Sequence, residues 1–364
     1  MSDRPLFSVV LPCYQVEEYL PEALDQILGQ SCDDLELIVV DDASPDGCGD
    51  IARAAAERDP RVRVVTHERN LGLAAARNSG MDAARGHYLW MPDPDDAYEP
   101  DLLARVALAT LEVPGGPDLV LFGCRERYYD QDGRWLYDHE IPSSAGAWEG
   151  DALRAHAFEL ERSTLFGYAW NKCYRLDALR AAGVRFTDLR LIEDVTFNVA
   201  FAPSVRSMVE LDGAPYAYRK QDGRSLTNAN AYGAREYWAL HQLRVEQLCE
   251  LARGWDMLDE QRALLGSLYV RFLLSATYRT FLDVDAGIEA WNDTRKGRWL
   301  LGIFRSDLFC ELVPFAQAQR SASLRAAIQV ARSRNALAFM SLAHGVYAVR
   351  KLSGTAFTRA RSGR

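Results

Sequence analysis

The chain has 364 residues, 48% of them hydrophobic and 26% charged, with a formal net charge of −9. This composition is typical of a globular protein, and the acidity argues against nucleic acid as the main partner. The sequence has no run of about 18 apolar residues, which is the length that a membrane-spanning helix needs. Its seven cysteines include no CxxC pair. We therefore expect a reduced, cytoplasmic protein without a disulfide framework or a zinc ribbon.

Short apolar runs alternate with amphipathic segments over the first 125 residues. Strands are predicted, in chain order, at FSVVLP, LELIVVDD, VRVVTH, HYLWM and DLVLFGC. Helices are predicted between them at EEYLPEALDQILGQ, DIARAAAERD, LAAARNSGMDAA and EPDLLARVALATL. This alternation indicates an α/β fold with a mostly parallel sheet flanked by helices.

Two acidic groups, Asp41–Asp42 and Asp93–Asp96, lie at the carboxyl ends of predicted strands. In open parallel sheets, ligands bind beyond the carboxyl ends of the strands. We therefore expect both acidic groups to face one crevice.

The pattern changes twice further along the chain. Strand-like pieces such as RERYY and APYAYR alternate with turn signals up to about residue 230. From Ala231 onward, long periodic segments predict helices. We therefore predict an α/β region over residues 1–230 and a helical C-terminal region over residues 231–364.

The most informative motif is Asp93-Pro94-Asp95, directly after the strand HYLWM. Hard divalent cations bind carboxylate oxygens, and Mg²⁺-type ions use one or two protein carboxylates together with substrate phosphates. The alternative is a solvated turn, because Asp and Pro are common turn residues. The glycine-rich GxGxxG and GxxxxGK[ST] motifs and the GxSxG nucleophile elbow are absent from the sequence.

Several ordered motifs together resemble the family 2 glycosyltransferases. They are VVLPCYQVEEYLPEALDQILGQS, ELIVVDDASPDGCGDIA, NLGLAAARNSGMDAARGHYLWMPDPDD, WNKCYR, IEDVTFN and YAYRKQDGRS. The resemblance implies a GT-A (Rossmann-like) fold and a metal-dependent, inverting transfer of a hexose from a UDP-sugar to a hydroxyl. Residues 1–125 would form the nucleotide-sugar half and residues 126–230 the acceptor half. The acceptor would be a glycan or lipid-linked glycan of a bacterial cell-wall polymer or surface polysaccharide.

The resemblance also implies donor-binding residues. Asp42, with Asp41 beside it, would accept from the imide N–H of a uracil-type base; the alternative is an acid that caps the strand end. Arg77 would lie near the diphosphate, where a guanidinium suits phosphate oxygens; the alternative is a solvated helical arginine. The complete donor-binding set is Pro12, Tyr14, Asp41, Asp42, Arg77, Asp93, Arg219 and Ser225.

The same resemblance assigns the metal and the chemistry. Asp95 would bind Mn²⁺ or Mg²⁺, and Asp93 would bind the metal or the ribose. Asp194, with Glu193 beside it, would be the catalytic base that takes the acceptor proton; the alternative is a helix cap. Trp170 would stack on the acceptor, although a buried core tryptophan remains equally open.

Three residues depart from the usual family pattern. Gln15 stands in place of Asn, Ala43 in place of Gly, and Pro94 in place of Ser between the two aspartates.

Two other functions stay open, a nucleotidyltransferase and a catalytically silent GT-A binding domain.

The C-terminal end is basic. From Arg320 onward the sequence contains nine Lys and Arg residues and no Asp or Glu. A basic amphipathic helix can bind an anionic membrane surface, which would place a peripheral enzyme at the cytosolic face. The alternatives are a helical bundle with a solvated basic face, a homo-oligomerisation surface and a linker to a further domain.

Overall fold

The computed structural model describes residues 4–221, 232–318 and 321–352. The contacts divide the chain into two compact units, Met1–Asp222 and Gly223–Arg364. The predicted border between residues 230 and 231 falls outside the described residues.

The first unit contains twelve strands among its described residues. They are β1 (Phe7–Cys13), β2 (Leu35–Asp41), β3 (Val62–Thr66), β4 (Tyr88–Trp90), β5 (Ala97–Tyr98), β6 (Leu119–Leu121), β7 (Cys124–Tyr129), β8 (Trp135–Ile141), β9 (Gly146–Glu149), β10 (Lys172–Arg175), β11 (Ser207–Glu210) and β12 (Tyr216–Gln221).

These strands form an eight-stranded sheet in the order β3-β2-β1-β4-β10-β6-β11-β9 and a four-stranded sheet in the order β5-β12-β7-β8. The strands β3, β2, β1 and β4 are parallel to one another. β10 runs antiparallel to both β4 and β6, and β9 runs antiparallel to β11. The first half of the large sheet is therefore parallel and the second half is mixed.

The described residues of the first unit also form seven α-helices, which lie between these strands in the sequence. They are α1 (Leu20–Leu28), α2 (Cys48–Arg58), α3 (Leu73–Ala83), α4 (Leu102–Ala109), α5 (Gly150–Ser163), α6 (Leu176–Ala182) and α7 (Glu193–Phe201).

The predicted α/β class is confirmed, and the apolar runs explain it. Every residue of β1 and of β2 is buried, as expected for strands that are covered on both faces. The predicted helix starts were too early in two cases, because α1 and α4 begin only at Leu20 and Leu102. Pro100 disfavours a helical conformation of Glu99 before it, whereas Pro21 lies in the first turn of α1, where its missing N–H is tolerated.

The second unit is helical throughout its described residues. Its helices are α8 (Ala234–Gly254), α9 (Leu258–Asp285), α10 (Asp293–Ile303), α11 (Asp307–Leu312), α12 (Ala322–Arg332) and α13 (Ala336–Leu352). The long helix α9 is the centre of this unit, and α8, α11, α12 and α13 pack on it.

The described part of the basic C-terminal segment, residues 321–352, forms part of this bundle. The apolar residues Ala327, Ile328 and Ala331 of α12 are buried. The guanidinium of Arg332 donates to the carbonyl oxygens of Pro314 and Ala316 at 3.0 and 2.7 Å. This packing supports the bundle interpretation, whereas membrane contact stays a prediction. Within the described residues, no helix combines the length and the apolar character that crossing a bilayer requires.

Candidate functional site

The carboxyl ends of the parallel strands meet at one edge of the large sheet. Cys13 at the end of β1 pairs with Asp41 of β2, and Asp41 pairs with Thr66 at the end of β3. The segments that follow these strands therefore start at the same level. This alignment is the reason why separate acidic motifs can contribute to one site.

The segment Asp93–Asp96 forms a tight turn after β4. The amide of Asp96 donates to the carbonyl oxygen of Asp93 at 3.3 Å. Pro94 and Asp95 occupy the two central positions, and proline is favoured at the first of these because its φ is already fixed. The turn gives a physical account of Pro94, which the sequence alone left unexplained.

Asp96 links this turn to the second sheet. Its buried carboxylate accepts from the hydroxyl of Tyr216 at 2.6 Å and from the amide of Arg219 at 2.7 Å. Burial, together with the charges of Asp95 and Asp93, raises the pKa of Asp96 well above its ordinary value. Asp96 therefore supports the turn from the interior, while Asp95 is exposed.

A buried arginine joins two of the predicted site residues. Arg77 is 1% exposed, and its Nη2 donates to Asp93 Oδ1 at 2.8 Å while Nη1 donates to Asp194 Oδ1 at 2.5 Å. The second oxygen of Asp194 accepts from the amide of Ala169 at 3.0 Å. The interpretation of Arg77 as a solvated helical arginine is therefore wrong, and its guanidinium is occupied by two carboxylates.

The close packing of α3 on the sheet places Arg77 in the interior. A Cβ at Gly80 would lie only 2.2 Å from Cγ1 of Val10 in β1, so only glycine permits this approach. The guanidinium of Arg77 lies 5.3 Å from the centre of the Phe186 ring. Its Nε is buried without a hydrogen-bond partner among the described residues.

The carboxylates around Arg77 outnumber the positive charge available to them. Burial, together with the charges of Asp95 and Asp194, raises the pKa of Asp93 to about 6 in spite of Arg77. Burial also raises the pKa of Asp95, against the opposing effect of Arg219. By surface area Asp95 is nevertheless an exposed residue, so a ligand can reach it. An added cation would relieve this excess of negative charge.

The donor groups suit a hard divalent cation bound together with a substrate. Asp93 and Asp95 offer carboxylate oxygens, which Mg²⁺ and Mn²⁺ prefer. In the part of the chain that the structure describes, no group of three or more His, Cys, Asp or Glu side chains could hold a metal ion. Two protein carboxylates therefore need further oxygen ligands, which a diphosphate can supply.

Glu193 and Asp194 open α7, in which Ile192 is the N-cap. The alternative that Asp194 caps this helix is wrong, because its carboxylate binds Arg77 and Ala169 instead. Burial and the charge of Asp194 raise the pKa of Glu193 to about 7. Its Oε2 is buried without a partner among the described residues, so it is placed to hold a proton near neutral pH.

The sequence did not predict a hydrogen-bond network that links Asp42 to His67 and Ser79. The Nδ1 of His67 lies 2.6 Å from Asp42 Oδ1, and the Nε2 of His67 lies 2.8 Å from Ser79 Oγ. The amides of Leu71 and Gly72 donate to the same carboxylate, each at 2.8 Å. Asp42 therefore holds the loop that leads into α3. His67 follows β3 at once, so its position at a strand end could have indicated the site.

Asp41 joins the loops that follow β1 and β2. Its Oδ1 accepts from the amide of Ser44 at 3.0 Å, and Ser44 Oγ accepts from the amide of Gln15 at 2.7 Å. Gln15 and Ala43 have positive φ angles of 57° and 53°. Asn and Gly adopt this conformation more readily, which explains why the family pattern has those residues there.

The structure places Trp170 in the core. Trp170 is 2% exposed, and its indole stacks with the rings of Tyr168 and Tyr216, each at 4.4 Å between centroids. The acceptor-stacking interpretation is therefore wrong for this conformation, and the core alternative is the correct one. The next residues of the motif, Asn171 and Lys172, bind the carbonyl oxygen of Leu165, which orders the segment that precedes Ala169.

The remaining predicted donor residues have different surroundings. Pro12 is buried within β1, whereas Tyr14 beyond its end is 41% exposed. The guanidinium of Arg219 lies 4.0 Å from the centre of the Tyr129 ring, and its Nε has no partner among the described residues. Ser225 lies outside the described residues.

Comparison with known proteins identifies the family. The model named Glycosyl transferase family 2 matches residues 8–183. Glycosyltransferase GlyG of Streptococcus pneumoniae is 34% identical over 234 residues, covering 60% of this chain and 72% of GlyG. The uncharacterized glycosyltransferase EpsJ of Bacillus subtilis is 32% identical over 226 residues, covering 61% of this chain and 63% of EpsJ.

A solved structure shares the fold. The crystal structure of S. aureus TarS 1-349 in complex with UDP-GlcNAc superposes with a TM-score of 0.62 at 18% identity, covering 95% of this chain and 92% of that chain. Of the two curated relatives, EpsJ is the one of which this chain spans less than two thirds of the length. The match to GlyG, together with the family model and the shared fold, shows that this chain belongs to glycosyltransferase family 2.

Proposed function

We propose that this protein is an inverting, metal-dependent glycosyltransferase that moves a hexose from a UDP-sugar to a hydroxyl group. The main support for the proposal is that one buried guanidinium binds both a donor-side carboxylate and a candidate base. Arg77 binds both Asp93 of the turn after β4 and Asp194 of α7. Direct transfer requires a donor site and a base side by side.

The donor side uses the strand ends. Asp95 and Asp93 would hold Mn²⁺ or Mg²⁺, which when bound neutralises charge on the diphosphate leaving group. Arg219, whose Nε lacks a partner among the described residues, would bind a phosphate oxygen, with Ser225 as a further contact. Asp42 and Asp41 would position the uracil base, with Pro12 and Tyr14 at the adjacent end of β1.

The acceptor side uses α7. Asp194 would take the proton of the acceptor hydroxyl while that oxygen attacks the anomeric carbon. The amide of Ala169 and the guanidinium of Arg77 orient this carboxylate. Glu193 would keep a proton nearby, since burial raises the pKa of its carboxyl to about 7.

The acceptor and the cellular setting are proposed from the family. EpsJ and GlyG are bacterial glycosyltransferases, which supports a bacterial cell-wall or surface polysaccharide as the product. TarS with UDP-GlcNAc shows that a protein of this fold binds a UDP-sugar. We further propose a cytoplasmic enzyme at the cytosolic face, with the basic end of the helical C-terminal region as its peripheral membrane contact.

The proposal is tested by a screen for UDP release across UDP-sugars with Mn²⁺ and glycan acceptors. We expect at least one donor to be turned over. We expect Asp95→Ala and Asp194→Ala each to lower turnover by about 10²–10⁴-fold, because each removes a group of the proposed machinery. The exposed residue Asp188 supplies a matched control, and Asp188→Ala should retain wild-type turnover.

Three results would contradict the proposal. Normal turnover by folded Asp95→Ala or Asp194→Ala removes the assigned roles. Release of pyrophosphate in place of UDP indicates a nucleotidyltransferase. A failure to bind any UDP-sugar in calorimetry with Mn²⁺ indicates a catalytically silent domain.

A further inference from the structure

The guanidinium of Arg77 connects two parts of the first unit that are distant in sequence. Asp93 lies in the turn after β4, and Asp194 lies in the first turn of α7. Each carboxylate accepts from a different terminal nitrogen of Arg77, at 2.8 and 2.5 Å. The spacing between the two carboxylates is therefore set by the width of one planar group.

Three features make this connection rigid. Arg77 is 1% exposed, and arginine keeps its charge at every relevant pH. The Phe186 ring lies against the guanidinium. The amide of Ala169 holds Asp194 from its other side. Rotation of Arg77 away from either carboxylate would leave the buried guanidinium without one of its two partners, which is strongly disfavoured.

This arrangement disfavours direct binding of phosphate by Arg77. Its two terminal nitrogens already donate to Asp93 and Asp194. A phosphate oxygen would have to reach a guanidinium that is 1% exposed and bring further negative charge beside those two carboxylates. Arg219 is better suited to that contact, because it is only partly buried and its Nη2 donates to the uncharged side chain of Gln221.

We propose that Arg77 is a positioning residue that holds the base Asp194 in register with the donor-side carboxylate Asp93, and that it is not a ligand of the diphosphate. This inference rests on the proposed glycosyl transfer. Arg77 thereby sets the distance between the attacking hydroxyl and the donor, and a misplacement of about 1 Å can cost about 10²-fold in rate.

The test separates donor binding from turnover. Lysine keeps the charge of Arg77 but cannot bind two carboxylates with a planar fork. For Arg77→Lys we expect kcat to fall by about 10²-fold or more while the Kd of UDP with Mn²⁺, measured by calorimetry, stays within about threefold of wild type. Arg219→Lys is the matched comparison, and its Kd for UDP should rise.

A rise of about tenfold or more in the Kd of UDP for Arg77→Lys would overturn the inference, and so would an unchanged kcat. If Arg77→Lys does not fold, Phe186→Leu is the second variant, because it removes the ring beside the guanidinium while both ion pairs remain. We then expect a smaller fall in kcat, again with a Kd for UDP close to that of the wild type. If the wild-type protein binds no UDP, the proposed function fails. If only the variants disagree, the inference alone fails.

Discussion

Buried carboxylates have opposite pKa shifts at the two ends of the parallel strands. At the amino end, Glu36 of β2 is 3% exposed and accepts from the Ser8 hydroxyl at 2.7 Å and from the Arg85 amide at 2.6 Å. The guanidinium groups of Arg85 and Arg63 add contacts at 2.9 and 3.1 Å. Burial by itself would raise the pKa of Glu36, but these hydrogen bonds outweigh it and lower the pKa.

At the carboxyl end, several carboxylates surround a single buried guanidinium. The pKa of Asp93 is raised to about 6 and that of Glu193 to about 7, first by burial and then by neighbouring carboxylates. Gln15 and Ala43 add backbone strain at the same end. One end of the sheet therefore contributes stability, whereas the other retains excess charge and strain, as functional sites commonly do.

The largest expected effect on stability lies at the amino end. Glu36→Ala should lower the free energy of unfolding by about 2–4 kcal/mol, because the buried hydroxyl of Ser8 and the amide of Arg85 lose their acceptor. Urea denaturation measures the change, and the exposed Glu57→Ala is the control. A loss no larger than that of the control would show that this end is not the stabilising one.

The sign of the pH dependence distinguishes the two ends. Because the pKa of Glu36 is lowered on folding, its contribution is present above the unfolded pKa and is lost as the pH falls. Because the pKa of Glu193 is raised to about 7, its contribution is complete below about pH 4.5 and is lost as the pH rises through about 7.

Glu193→Gln tests this second case. The variant should match the wild type near about pH 4.5 and be more stable at about pH 8, by on the order of 1–3 kcal/mol, since glutamine never ionises. The measurement is chemical denaturation across this pH range, with the exposed Glu57→Gln as control. Parallel curves for variant and wild type would contradict the raised pKa of Glu193.

The smallest effect concerns strain at the carboxyl end. Ala43 has a φ of 53°, so Ala43→Gly should raise the melting temperature slightly, by the equivalent of about 0.5–1 kcal/mol. Ala54→Gly, in the exposed interior of α2, should have the opposite sign, because glycine weakens a helix. Equal destabilisation by both changes would show that Ala43 is unstrained.

Local patterns predicted the elements of the parallel half well. Runs such as FSVVLP and LELIVVDD are continuous and apolar, and they became the fully buried strands β1 and β2. Shorter strands such as β9 and β11 were not predicted, because their four residues carry too little periodicity and depend on their partners.

The sequence by itself determined the family, the α/β fold and the acidic strand ends, because these depend on local apolar runs and on ordered motifs. Only the tertiary structure decided what each charged group does. The sequence left Arg77 open between a diphosphate contact and a solvated arginine, and Trp170 open between an acceptor contact and a core residue, and the structure shows that both are buried. A side chain's burial and partners are set by residues far away in the chain, here Asp194 for Arg77 and Tyr216 for Trp170, and no local pattern encodes those distances.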